Sequence, residues 1–218
     1  MYSRHDLVWL TPHGWRAAAE SAPAPDRDAI ELWRREDWPA IVRRHDAGAP
    51  AGTVSLGIAL PPDPADGSKR RIAIRAPGSH VARRTPPLPL AETLAAAPAH
   101  WHQGLAALDA NAPGPGLRAY GSLALQALTG RQYLTASSDI DLLFGPATVG
   151  QLDAGIALLS AHVATLPLDG EIVFPCGDAV AWKEWRGARE NGARVLVKSI
   201  GAVRLADPAA LIAALEAP

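Results

Sequence analysis

Tyr120-Gly121-Ser122-Leu123-Ala124-Leu125, followed past Gly130 by Ser138-Asp139-Ile140-Asp141-Leu142-Leu143-Phe144, is the stretch from which the rest of this sequence is read. Leu123 to Leu128 reads as a helix that Gly130 stops. Ile140 to Phe144 reads as a strand of near-continuous apolar character. Side chains on a strand alternate faces, so Asp139 and Asp141 point one way and Ile140, Leu142 and Phe144 the other, into a core. Two carboxylates side by side repel unless a cation lies between them. Oxygen-only ligation suits magnesium, which keeps several waters and accepts phosphate oxygens of a substrate. Two such ions can hold the attacking and leaving oxygens of an in-line phosphoryl transfer. Upstream, a helix starting near Ser122 offers backbone N–H groups with no intrahelical partner, an anion site that the helix dipole favours. Gly121 lets a phosphate approach the backbone, and the Ser122 hydroxyl adds a donor. A lone Asp-x-Asp is more often a solvated strand edge, and a lone Gly-Ser more often a cap. In this order and spacing they place a phosphate cradle beside a metal cradle.

Around this segment the chain reads as α+β. Thr53–Leu60 and Arg70–Ile74 read as a hairpin across the loop Pro61-Pro62-Asp63-Pro64. Ala76–Pro89 carries Pro77, Pro86, Pro87 and Pro89 and reads as a linker, since proline joins neither a ladder nor a helix interior. The domains expected are therefore 1–85, mainly β, and 86–218. In the second, helices are predicted at Ala91–Ala97, Trp101–Asp109, Val149–Thr165 and from Asp207-Pro208 to about Glu216. Strands are predicted at Leu117–Tyr120, Glu171–Phe174, Ala179–Trp182 and Arg194–Ile200.

The bulk numbers exclude some classes. In 218 residues, 48% hydrophobic and 20% charged, a soluble core is affordable. A net charge of −1 gives no whole-molecule attraction for nucleic acid, so an anionic ligand needs a local cation cluster. The single cysteine, Cys176, allows neither an intrachain disulfide nor a CxxC site, and reads as a small buried hydrophobe. No segment approaches the roughly 20 apolar residues of a membrane helix. Met1–Leu10 carries Arg4 and Asp6 and no apolar run of signal-peptide length, so a cytoplasmic protein is expected.

The pattern from Gly121-Ser122 to Ser138-Asp139-Ile140-Asp141-Leu142-Leu143 resembles the nucleotidyltransferase superfamily of the DNA polymerase β type. That resemblance implies a polymerase-β-like domain with a mixed sheet flanked by helices, and a third carboxylate on a later strand. Asp169 and Glu171 are the candidates. Glu171, which begins an apolar strand, is the first choice as metal ligand or general base; Asp169 reads as a turn residue. Lys198, a cation in an apolar strand, needs an anion nearby if buried and could neutralise a polyphosphate.

Further segments narrow the resemblance: Arg4-His5-Asp6-Leu7-Val8-Trp9-Leu10, Trp38 to Arg44, Leu56 to Pro61, Lys69 to Ile72, Leu128-Thr129-Gly130, Asp169-Gly170-Glu171, Ala181 to Glu184 and Val195 to Lys198. With the central motif they resemble the phosphoribosyl-dephospho-CoA transferase family, the holo-acyl-carrier-protein synthases of malonate decarboxylase. The resemblance implies transfer of the phosphoribosyl-dephospho-CoA group from 2'-(5''-triphosphoribosyl)-3'-dephospho-CoA to a serine of the apo acyl carrier protein, with release of diphosphate. Asp139 and Asp141 match the catalytic pair, with magnesium or alternatively manganese as cofactor, and Gly121 and Ser122 the phosphate-binding turn. Among the N-terminal cations, Arg43 and Arg44 are the candidates for holding the donor or the carrier. No nucleic acid and no membrane is expected as partner. The competing readings are an ATP-dependent adenylyltransferase and a non-catalytic carrier-binding subunit.

Overall fold

A computed structural model describes residues 2–216. The chain divides into two units, Met1–Pro87 and Leu88–Pro218.

In the first unit the elements are β1 (Leu7–Leu10), α1 (Pro12–Ser21), α2 (Ala24–Arg35), β2 (Ala40–Val42), β3 (Thr53–Ala59), β4 (Arg71–Pro77) and β5 (Val81–Thr85). The sheet runs β4-β3-β2-β1-β5 and all its pairings are antiparallel. Burial along β4 alternates strictly, with Ile72, Ile74 and Ala76 inside and arginines outside, as a half-buried strand requires. α1 begins at Thr11, whose hydroxyl accepts the Gly14 N–H at 3.0 Å, with proline at the first helical position. Trp15, Ile30 and Trp33 are the buried side of the helices.

The predicted hairpin over residues 53–74 is present, with Leu56 opposite Ile74. The predicted linker at Ala76–Pro89 is not. β5 occupies its middle and pairs with β1, Leu7 opposite Thr85. The prolines flank this strand rather than interrupt it, and β5 is an edge strand, where proline costs no ladder bond. The contact boundary therefore falls at 87/88 and the expected one at 85/86.

The second unit holds β6 (Leu88–Pro89), α3 (His102–Ala110), β7 (Leu117–Ala119), α4 (Gly121–Thr129), β8 (Ile140–Phe144), α5 (Val149–His162), β9 (Leu168–Val173), β10 (Ala179–Ala181), α6 (Trp182–Asn191), β11 (Val195–Lys198), β12 (Val203–Ala206) and α7 (Pro208–Glu216). The sheet order is β12-β11-β10-β9-β8-β7-β6, with β8 and β9 parallel and the other pairings antiparallel. α5 is the crossover a parallel pair needs. One apolar cluster joins Ile140, Leu142 and Phe144 of β8 to Leu105 of α3, Leu159 of α5 and Trp185 of α6.

Several expectations shift. Leu90–Ala96 is a 3-10 segment bracketed by Pro89 and Pro98, not an α-helix; the Thr93 hydroxyl donates to the Leu90 carbonyl at 2.8 Å, bonding three residues back. The strand predicted to reach Trp182 ends at Ala181, and the unpredicted α6 follows at once. β12 is likewise unpredicted. Cys176, expected to be buried, is exposed.

Candidate active site

Where β7 turns into α4, the Tyr120 N–H donates to the Asp141 carbonyl of β8 at 3.0 Å. Ala119 pairs with Leu142 alongside. Gly121 follows with φ at +65°, a conformation that L side chains rarely adopt. A Cβ on Gly121 would collide with the Asp141 Oδ2 and stand 3.0 Å from its Cγ. The carboxylate of Asp141 is thus laid against the start of α4, with glycine leaving the space. The Tyr120 N-cap makes no side-chain cap hydrogen bond, and the anionic side chain set against this helix start is that of Asp141. Ser122, in the first turn of α4, is half-buried.

α4 is pinned at its other end by a residue that sequence reasoning did not single out. Gln126 donates to the Ala96 carbonyl at 2.7 Å and accepts the Tyr133 and Leu134 N–H groups, each at 3.0 Å. The chain then enters β8 through a short turn in which buried Ser138 accepts the Thr135 N–H at 2.9 Å. Asp139 lies just before β8 rather than within it, and is exposed.

The parallel pairing of β8 and β9 sets Asp141 opposite Asp169 and Leu143 opposite Glu171. Paired residues share a face, so Asp141, Asp169 and Glu171 stand on the face opposite the buried Leu142 and Ile172. Asp169 is on the strand, not in the turn expected for it. Glu171 is 5% exposed, and Lys198 of β11 donates to its Oε1 at 3.0 Å. Lys183, on the first turn of α6, lies with its Nζ 3.9 Å from Asp169 Oδ1. A resting lysine therefore accompanies each candidate for the third carboxylate. Among the described residues, no group of three or more His, Cys, Asp or Glu stands close enough to hold a metal ion.

The donor chemistry of Asp139 and Asp141 nevertheless suits a hard divalent cation, since both offer only carboxylate oxygen. Arg43 and Arg44 lie in the first unit. Arg43 is spoken for: its two Nη atoms donate to Asp46 at 2.5 and 2.6 Å and its Nε to the Leu56 carbonyl at 2.9 Å. Arg44 is exposed. Trp182 and Trp185, which flank Glu184, are buried core residues. Glu184 itself accepts the Leu196 N–H at 2.6 Å and thereby ties α6 to β11.

Two sequence-family profiles cover this chain. Residues 3–87 match the phosphoribosyl-dephospho-CoA transferase MdcG N-terminal domain, and residues 89–209 match its C-terminal domain. The chain belongs to the phosphoribosyl-dephospho-CoA transferase (MdcG) family. Proteins named phosphoribosyl-dephospho-CoA transferase show the same likeness. One from Xanthomonas campestris pv. campestris (strain 8004) is 40% identical over 215 residues, 97% of each chain. One from Bradyrhizobium diazoefficiens is 38% identical over 212 residues, 94% of this chain and 89% of that one. One from Pseudomonas putida (strain W619) is 30% identical over 212 residues, 94% and 93%. No solved structure matches the chain. Membership of the MdcG family makes this chain an enzyme, a transferase. Its mixed sheet with flanking helices is the nucleotidyltransferase-like architecture that the sequence predicts. Among the described residues no helix is long and apolar enough to cross a membrane.

Proposed function

We propose that the chain transfers the phosphoribosyl-dephospho-CoA group from 2'-(5''-triphosphoribosyl)-3'-dephospho-CoA to a serine of the apo acyl carrier protein of malonate decarboxylase, in the cytoplasm. The serine oxygen bonds to the phosphorus nearest the ribose, the bond from that phosphorus to the diphosphate breaks, diphosphate leaves, and the serine proton is lost. The observation that supports this reading is the approach of the Asp141 carboxylate to the Gly121 turn, where α4 begins, so that a carboxylate of metal-binding type and a helix N-terminus are neighbours. Asp139 and Asp141 hold magnesium, or alternatively manganese, which when bound supplies charge neutralisation at the phosphate oxygens. The first amides of α4 and the Ser122 hydroxyl orient the diphosphate.

Sequence favours Glu171 as third acid. The register favours Asp169, because Asp169 is the partner of Asp141 and is 42% exposed, while Glu171 is buried against Lys198. We assign Asp169 to the metal site or to acceptance of the serine proton, and the Glu171–Lys198 pair to tying β11 to β9 across β10. The first unit is assigned to donor or carrier recognition, with exposed Arg44 a better contact than Arg43, whose guanidinium Asp46 already holds.

The test is the mass of the apo carrier protein after incubation with enzyme, magnesium and the triphosphoribosyl donor. The wild type adds the prosthetic-group mass. Asp139→Ala and Asp141→Ala each slow its appearance by about 100-fold or more, close to 3 kcal/mol of transition-state stabilisation, with the circular dichroism spectrum unchanged. A carrier that gains no mass, or gains it at the same rate with Asp141→Ala, defeats the reading.

A further inference from the structure

The two lysines on the site face differ in how they are held. Lys198 donates at 3.0 Å to a carboxylate that is 5% exposed. Lys183 stands 3.9 Å from one that is 42% exposed, is itself 47% exposed, and is beyond hydrogen-bond reach. An exposed pair at that separation stabilises the fold little. Lys183 is also poorly placed for the stability of its own helix. It lies in the first turn of α6, where the backbone dipole is positive and disfavours a cation. Its Nζ rests 5.9 Å from the Trp182 ring, a second weak attachment. Lys183 is thus a cation held loosely at the unfavourable end of a helix, beside the strand that pairs with the strand of Asp141.

We propose that Lys183 is a transferable cation of the active site. With no ligand present it partly neutralises Asp169, which would otherwise face Asp141 across the β8–β9 register. When a divalent cation takes Asp169, Lys183 is displaced and its ammonium contacts the polyphosphate of the donor. There it stabilises the charge that develops as diphosphate departs. The inference rests on the proposed reaction for its second half only; competition between Lys183 and a divalent cation for Asp169 is independent of which substrate is used.

The experiment has two arms, run on the full chain. In the first, Mn2+ is titrated calorimetrically into wild type, Lys183→Met and Lys183→Arg with no donor present. Lys183→Met binds Mn2+ about three- to tenfold more tightly than wild type, because the competing charge is gone. Lys183→Arg stays near wild type. In the second arm the carrier-modification kinetics are measured: kcat of Lys183→Met falls about tenfold or more, and KM for the carrier is unchanged. Lys183 is half exposed, so all three proteins share one melting temperature within a degree or two. Equal Mn2+ affinities, the absence of Mn2+ binding in every protein, or an unchanged kcat overturns the proposal. If no donor modifies the carrier but the Mn2+ affinities separate as expected, the reaction assigned above fails and the competition for Asp169 stands.

Discussion

Gly121 is the point at which the turn into α4 and the strand of Asp141 touch. Its φ of +65° alone disfavours any side chain, and the Asp141 carboxylate occupies the place of a Cβ. Gly121→Ala therefore strains the backbone by about 1 kcal/mol or more, and it also pushes Asp141 aside. The expected result is a drop in carrier-modification rate far larger than the drop in stability: about 100-fold in kcat/KM against a few degrees in melting temperature. Comparable losses in both would mean that the glycine serves only the fold. At this scale the sequence was legible where chemistry is local. Gly121, Ser122, Asp139 and Asp141 lie in one continuous segment, and their types and spacing are visible without a fold. Asp169 was legible only as the second choice after Glu171, because a carboxylate beside a glycine reads as a turn, and Lys183 was not singled out.

At the scale of elements, β9 depends on Gly170, whose φ is +132°. A Cβ there would strike the carbonyl oxygen of Leu142 and stand 2.6 Å from its N and 2.7 Å from its C. Those neighbours are backbone atoms of β8 and cannot give way as a flexible side chain would. Gly170→Ala should part β8 from β9 and destabilise the protein by about 2–4 kcal/mol, read as a lower urea midpoint. It should also reduce activity, since Asp169 and Asp141 lose their register. A midpoint within error of wild type would show that the strands tolerate the separation. The sequence predicts β8 to the residue because its apolar run is bounded on both sides. It misses α6 for the opposite reason. The run Ala179-Val180-Ala181-Trp182 is continuous across the strand–helix junction, and Ala181 supplies no side-chain cap. The signal that was there is the spacing of Trp182, Trp185 and Ala188, all buried, ahead of the left-handed Gly192.

For the molecule as a whole, the acid limb of stability has an identifiable contributor in the first unit. The guanidinium of Arg43, then that of Arg75, hydrogen-bonds Asp46 and lowers its pKa from 3.8 to about 2. A carboxyl with a depressed folded-state pKa stabilises the fold above its unfolded pKa, and that contribution is lost as pH falls through the folded value. Asp46 thus stabilises fully above about pH 4, and its contribution disappears towards pH 2. Asp6 acts in the opposite sense. Burial raises its pKa against the Ser3 N–H and Arg84, so its contribution to stability rises with acidification. The comparison that isolates Asp46 is wild type against Asp46→Asn, melted from pH 7 to pH 2. The wild type is the more stable protein at neutral pH, and the gap closes below pH 4. A gap that is constant over the range would assign the pair no role in acid unfolding.

Sequence alone was enough for the α+β class, for a helix that begins at Gly121 and Ser122, for a strand that carries Asp141 with Asp139 just before it, and for the family resemblance. Each of these rests on periodicity or on residues adjacent in the chain, which physical chemistry constrains before any tertiary contact forms. The pairing of Asp169 with Asp141, the burial of Glu171 against Lys198 and the strand hidden among the prolines before residue 87 came from the folded chain. Pairing between strands far apart in sequence is set by which register buries the apolar cluster, and a shift of one residue would turn every acid to the other face.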